Sequence, residues 1–130
     1  MPHIVLQLSG ERDADLMQKS VQVIQDLTAE VLGKERGVTA TTVQFIPADQ
    51  WFIAGKALSE TGGSAFHLDI SITDETNTKA QKARYLREIY HALAALRGDL
   101  HQESYVHLID ARAAAYGYGG VTQEWRHQHA

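Results

Sequence analysis

The sequence predicts an α+β protein: duplicated β-α-β units that form a four-stranded mixed sheet with two helices on one face. Three observations lead there. Phe66-His67-Leu68-Asp69-Ile70-Ser71-Ile72 alternates apolar and polar residues without a fault, the period of a strand with one buried face. Apolar residues recur at three- and four-residue steps in two longer stretches, the period of a helix with one buried stripe. The order strand, helix, strand then occurs twice, each time in about sixty residues. A single domain over residues 1–130 is expected, with halves at about 2–60 and 61–120.

Taken in order, residues 4–8 (Ile4-Val5-Leu6-Gln7-Leu8) read as a short buried strand, broken by Ser9-Gly10. Residues 13–32 read as the first helix. Met17, Val21, Ile24 and Val31 mark its apolar stripe, with Leu16, Val23 and Leu27 widening it. Asp13 and Asp15 favour its N-terminal end through the helix dipole, and Gly33 suits its stop. Residues 42–46 form the second strand, ended by Pro47. Residues 49–64, with Gly55, Gly62 and Gly63, read as a mobile loop or hairpin. Residues 66–72 are the third strand. Asn77 or Thr78 can cap the second helix, whose stripe is Leu86, Ile89, Leu93 and Leu96 before Gly98. Residues 105–109 are the fourth strand, a glycine- and tyrosine-rich tail follows from Tyr116, and residues 126–130 read as frayed. Each crossover should be right-handed with parallel strands. Two helices cover only one sheet face, and the strands are apolar enough to predict self-association through the other.

Composition narrows the function. The chain of 130 residues can bury roughly two-thirds of its unfolded surface. Its formal charge of −4 gives no basic stripe for nucleic acid. With no cysteine, disulfides and thiolate zinc sites are excluded. No apolar run is long enough for a membrane span, and no signal peptide is visible, so a cytoplasmic protein is expected. The seven histidines have no ligand spacing and read as surface residues, so no metal is expected. Gly117-Tyr118-Gly119-Gly120 lacks the ending of a phosphate loop.

Pro2 is the most informative residue. If Met1 is removed, Pro2 presents a secondary amine at the start of a strand. An α-amine has a pKa of about 7.7–8.0, and burial or a nearby cation lowers it, toward the range where a general base works best. While Met1 remains, the Pro2 nitrogen is a tertiary amide and accepts no proton.

Several segments carry a resemblance. They are Pro2 opening the first strand, Arg12 just after it, Leu32-Gly33-Lys34, Val43-Gln44-Phe45-Ile46-Pro47-Ala48-Asp49-Gln50, Trp51-Phe52-Ile53-Ala54-Gly55, Tyr105-Val106-His107-Leu108-Ile109-Asp110, and the tail from Tyr116. In order and spacing, over about residues 2–120, the chain resembles the tautomerase superfamily, with its macrophage migration inhibitory factor and 4-oxalocrotonate tautomerase branches. The resemblance implies a homotrimer with active sites between subunits. It also implies keto–enol tautomerisation of small 2-oxo acids by the N-terminal proline, with no metal or organic cofactor.

Residue by residue, the resemblance makes Pro2 the general base and Arg12 the guanidinium that holds the substrate carboxylate. Lys34 would lie near that carboxylate, and Tyr105 would bring a hydroxyl from a neighbouring subunit. His107 stands where the cytokine-like branch has an asparagine, and Trp51 with Phe52 would form an apolar wall. Each also has a plain structural reading: loop arginine, helix-terminal lysine, strand tyrosine and histidine, interface aromatics. Two departures stand out. Gln44 replaces a substrate-polarising arginine, and Asp74-Glu75-Thr76-Asn77 offers no cation before the second helix. A site with fewer cations suits a monoacid or a phenylpyruvate-like enol. Alternatives on the same scaffold are a hydratase or dehalogenase of unsaturated acids and a non-catalytic trimeric binding protein. A ferredoxin-like dimer is the remaining architecture.

Overall fold

Strand β1 (His3–Ser9) buries Ile4, Leu6 and Leu8 on one face, and that alternation sets the layer order of the whole molecule. The structure is a computed structural model describing residues 1–130. Helix α1 (Ala14–Leu32) follows, capped by the Asp13 side chain accepting from the Leu16 N–H. It ends at Gly33, whose left-handed conformation (φ 69°) lets its N–H reach the Ala29 carbonyl. Strand β2 (Ala40–Ile46) returns parallel to β1. A small hairpin, β3 (Phe52–Ile53) with β4 (Lys56–Ala57), and a single-turn helix α2 (Leu58–Thr61) fill the segment expected as a loop or hairpin.

The second half repeats the plan. Strand β5 (Phe66–Thr73) leads to helix α3 (Lys79–Arg97), where Thr78 and Gln81 form a reciprocal capping box. Strand β6 (Tyr105–Ala111) returns parallel to β5, followed by hairpin β7 (Gly117–Tyr118) with β8 (Val121–Thr122) and helix α4 (Gln123–Gln128). Residues 126–128, expected to fray, are therefore helical. Thr122 caps α4 by accepting from the Trp125 N–H, which anchors the last helix to the hairpin.

The sheet order is β2-β1-β5-β6, with β1 and β5 antiparallel at the centre. Both helices lie on one face of this mixed sheet, as predicted. In that layer Ile4, Leu6, Leu8, Phe66, Leu68, Ile70 and Ile72 from the strands meet Ile24, Tyr85, Ile89 and Leu93 from the helices. Two details differ from the sequence reading. Tyr85, not Leu86, heads the buried stripe of α3, and Leu86 is 38% exposed. The stripe of α1 runs through Ser20 and Thr28 as well as Ile24 and Val31, with Met17 and Val21 at its edge. A hydroxyl can be buried there because Thr28 finds partners: it donates to the Ile24 carbonyl and meets the Tyr85 hydroxyl.

The other sheet face is more polar than expected. It carries Gln7, Gln44, His67, Asp69, Tyr105 and His107 among apolar Val5 and Ile109. Gln7 and Gln44 pair there at 3.5 Å. His67 Nε2 lies 3.0 Å from a shielded Asp69 Oδ1 that has no aligned hydrogen bond. No helix is long and apolar enough to cross a membrane.

Candidate active site at the start of β1

The two halves are related by their register. His3 pairs with Ala40 as His67 pairs with Tyr105. Phe66 in the second half is therefore the counterpart of Pro2, and the antiparallel β1–β5 pair sends the two residues to opposite ends of the sheet. Each end is closed by the hairpin that follows the other half's last strand: β7–β8 near Pro2, β3–β4 near Phe66.

Pro2 is buried, and its carbonyl accepts from the Ala40 N–H at 3.3 Å, extending the β1–β2 pairing. Met1 lines a pocket of about 220 Å³ with Lys34, Glu35, Tyr118, Gln123 and Arg126. Burial lowers the pKa of the chain's α-amine, the Lys34 cation lowers it further, and Glu35 opposes both. Lys34 enters this pocket because the Gly33 turn redirects the chain there. Its Nζ donates to Thr76 Oγ1 at 2.8 Å. Partial burial lowers the Lys34 pKa, with Asp110 opposing.

The far end of the chain also holds the Met1–Pro2 start. The Tyr116 hydroxyl donates to the Met1 carbonyl at 2.7 Å and also lies 2.9 Å from the Ser71 carbonyl. Burial raises its pKa, while a hydrogen bond from the His3 backbone opposes the shift. The Arg126 guanidinium stacks on the Tyr118 ring, 3.9 Å from its centroid, and Nη2 donates to the Tyr118 carbonyl at 2.9 Å. Its Nε is shielded and has no partner. Sequence reasoning missed both Tyr116 and Arg126 as site residues. The internal repeat could have flagged the first, because Tyr116 precedes its hairpin as Trp51 precedes the other.

The remaining candidates lie elsewhere in the protomer. Arg12 is exposed in the link between β1 and α1, beyond the far end of β1 from Pro2. Seven strand residues separate the two, a span of roughly 23 Å. Trp51, Phe52 and Tyr105 come together, but at the Phe66 end. There they line a cleft of about 450 Å³ with Gln7, His67 and Glu103. Phe52 is 60% and Tyr105 67% exposed, so this cleft has open aromatic walls. His107 stands two residues beyond Tyr105 on the open face, its Nδ1 3.9 Å from Asp69 Oδ1. One protomer thus holds Pro2 and Lys34 at one end and Arg12, Trp51, Phe52 and Tyr105 toward the other.

The fold, two β-α-β units joined in one chain, is the one the sequence resemblance implies. Among solved structures it is similar to Pt0534 inactivated by 2-oxo-3-pentynoate, with a TM-score of 0.83 at 14% identity over 95% of this chain and 98% of that one. It is similar to native fused 4-OT, with a TM-score of 0.83 at 15% identity over 95% and 97% of the two chains. Fused 4-OT has also been solved as symmetric and asymmetric trimers. The macrophage migration inhibitory factor-like protein of Entamoeba histolytica gives a TM-score of 0.75 at 18% identity, over 93% and 97%. No protein-family model matches the sequence, and no curated protein matches it significantly.

Proposed function

We propose that this protein is a cofactor-free keto–enol tautomerase of small 2-oxo acids or their enols, acting as a homotrimer in the cytoplasm, with Pro2 as general base once Met1 is removed. The observation that carries the reading is the surroundings of the Met1–Pro2 peptide. A buried strand start adjoins a small pocket lined by Met1, two cations, Lys34 and Arg126, the carboxylate Glu35 and the phenol Tyr118, while the Tyr116 hydroxyl donates to the Met1 carbonyl. Burial and a neighbouring cation both favour a neutral, proton-accepting amine there. The cations suit the carboxylate of a monoacid, and the pocket volume suits a small one.

The trimeric fused 4-OT neighbours support assembly into trimers. In such an assembly, Arg12, Trp51, Phe52, Tyr105 and His107 are proposed to serve the Pro2 of a neighbouring subunit, since they lie toward the opposite end of their own. Pt0534 was inactivated by 2-oxo-3-pentynoate, which makes that acetylenic 2-oxo acid a suitable probe here.

The test uses protein whose N-terminus is established as Pro2 by mass. Phenylenolpyruvate ketonisation should be fast with this protein and lost in Pro2→Ala, and 2-oxo-3-pentynoate should add one label, on Pro2. Equal ketonisation rates in the two proteins would remove the proposal.

A further inference from the structure

The Met1 carbonyl oxygen marks a position in the site. It accepts from the Tyr116 hydroxyl at 2.7 Å, and peptide geometry puts it about 2.3 Å from the Pro2 nitrogen. Loss of Met1 vacates that position. A substrate oxygen need move only about half an ångström from it to stand at hydrogen-bond distance from both the Pro2 nitrogen and the Tyr116 hydroxyl. The vacated carbonyl oxygen is thus a stand-in for the oxygen of an enol.

We propose that Tyr116, from the same protomer as Pro2, is a catalytic residue whose hydroxyl holds the enol oxygen of the substrate and stabilises the enolate formed there. The proposal rests on Pro2 being the base. In ketonisation, the Pro2 nitrogen takes the proton of the enol O–H, leaving negative charge on the oxygen. The Tyr116 O–H bonds to that charge. The oxygen's electron pair then forms the carbonyl, and the electron pair of the carbon–carbon double bond takes the proton back from the Pro2 N–H at C3. Tyr116 keeps its own proton, and no other reactant is needed.

The partners of Tyr116 suit this task. The His3 backbone hydrogen bond steadies the phenol oxygen, and Ser71 offers its proton a neutral carbonyl acceptor at 2.9 Å. When Met1 is absent, the resting hydroxyl donates to Ser71. A hydrogen bond to an ionised acceptor is roughly twice as strong as one to a neutral carbonyl. The proton therefore turns to the substrate as charge develops. An interaction that strengthens in the transition state raises kcat rather than lowering KM. Burial, by raising the phenol pKa, keeps Tyr116 a donor through the neutral range.

The experiment compares processed wild type, Tyr116→Phe and Pro2→Ala in phenylenolpyruvate ketonisation. Tyr116→Phe should lower kcat about 10²-fold with a much smaller change in KM, the usual effect of losing one oxyanion donor. An unchanged kcat in Tyr116→Phe, with Pro2→Ala inactive, overturns the role of Tyr116 and leaves the Pro2 reading intact. A loss confined to KM, or a shifted acid limb with an unchanged plateau, also overturns it, since Tyr116 would then act on binding or on the proline. 3-Fluorotyrosine at position 116 gives an independent readout in a protein that keeps the hydroxyl. Its more acidic phenol should move the alkaline limb of kcat to lower pH, and an unmoved limb overturns the proposal.

Discussion

Gly119 makes room for Arg126. A Cβ at Gly119 would stand 2.8 Å from Arg126 Nη2, and the backbone there is left-handed at φ +63°. The guanidinium can lie flat on Tyr118 because nothing projects from the hairpin tip beneath it. Gly119→Ala should displace the flexible end of Arg126 and cost about 1 kcal/mol through the left-handed backbone. Steady-state kinetics should give a raised KM for a 2-oxo acid, as in Arg126→Ala. A normal KM in both variants would remove Arg126 from the carboxylate site.

The Thr28–Tyr85 contact in the seam between α1 and α3 has a definite direction. Thr28 Oγ1 donates to the Ile24 carbonyl at 2.7 Å, so the Tyr85 hydroxyl, 2.9 Å away, must donate to Thr28. Tyr85→Phe loses that bond and should cost about 1 kcal/mol, whereas Thr28→Val strands a buried donor and should cost about 1–3 kcal/mol. The double variant should be more stable than the sum of the two losses, measured by urea unfolding. Burial also pushes the Tyr85 pKa up to about 12. A raised folded-state pKa favours the protonated form, so its stabilisation is whole below the unfolded value near pH 10 and disappears as pH rises through about 12. That loss should amount to about 2–3 kcal/mol and be absent in Tyr85→Phe.

The acid limb of activity should lie low. The α-amine of Met1 is already shifted downward by burial first and Lys34 second. A Pro2 amine uncovered by processing belongs to a residue more buried than Met1. With the neutral Pro2 amine as the proposed base, kcat/KM should rise with pH through an apparent pKa below the ordinary value of about 7.7–8.0. Lys34→Met should move this limb upward, because a cation that disfavours the ammonium form is gone. A limb that stays put in Lys34→Met would remove Lys34 as a cause.

Arg12 and Pro2 lie beyond opposite ends of β1, so an Arg12 that contributes to catalysis serves another subunit. Pro2→Ala and Arg12→Ala chains should each be impaired alone. Co-refolded together, they should regain activity above the mean of the two, because some sites then combine an intact Pro2 with an intact Arg12. Unchanged activity in Arg12→Ala, or no gain on mixing, would exclude a role for Arg12 across the subunit boundary.

The sheet and helices were legible because their periods are local. Residues 66–72 alternate with His67, Asp69 and Ser71 on the wet face, which a window of seven residues reveals. Helix phase was less secure. Tyr85 outranks Leu86 because its hydroxyl finds Thr28, a partner 57 residues away, and no hydropathy value contains that. The site was harder still. Pro2 was visible as a chain start and Lys34 as a helix end, but Tyr116 reaches the Met1 carbonyl across 115 residues. Arg126 lies in a stretch whose polarity reads as a loose tail. It is held by the Thr122 cap and the Tyr118 ring, contacts that depend on the β7–β8 hairpin.

The correspondence of Pro2 with Phe66 between the two halves has a consequence for stoichiometry. An α-amine exists only where a polypeptide begins, so covalent continuity through Ser64, Ala65 and Phe66 forces an amide nitrogen on the second half. The proposed trimer would bear three basic nitrogens and three aromatic ends with no duty as a base. Cutting the backbone before position 66 and installing proline there would be the minimal way to double the number of reactive amines without enlarging the scaffold.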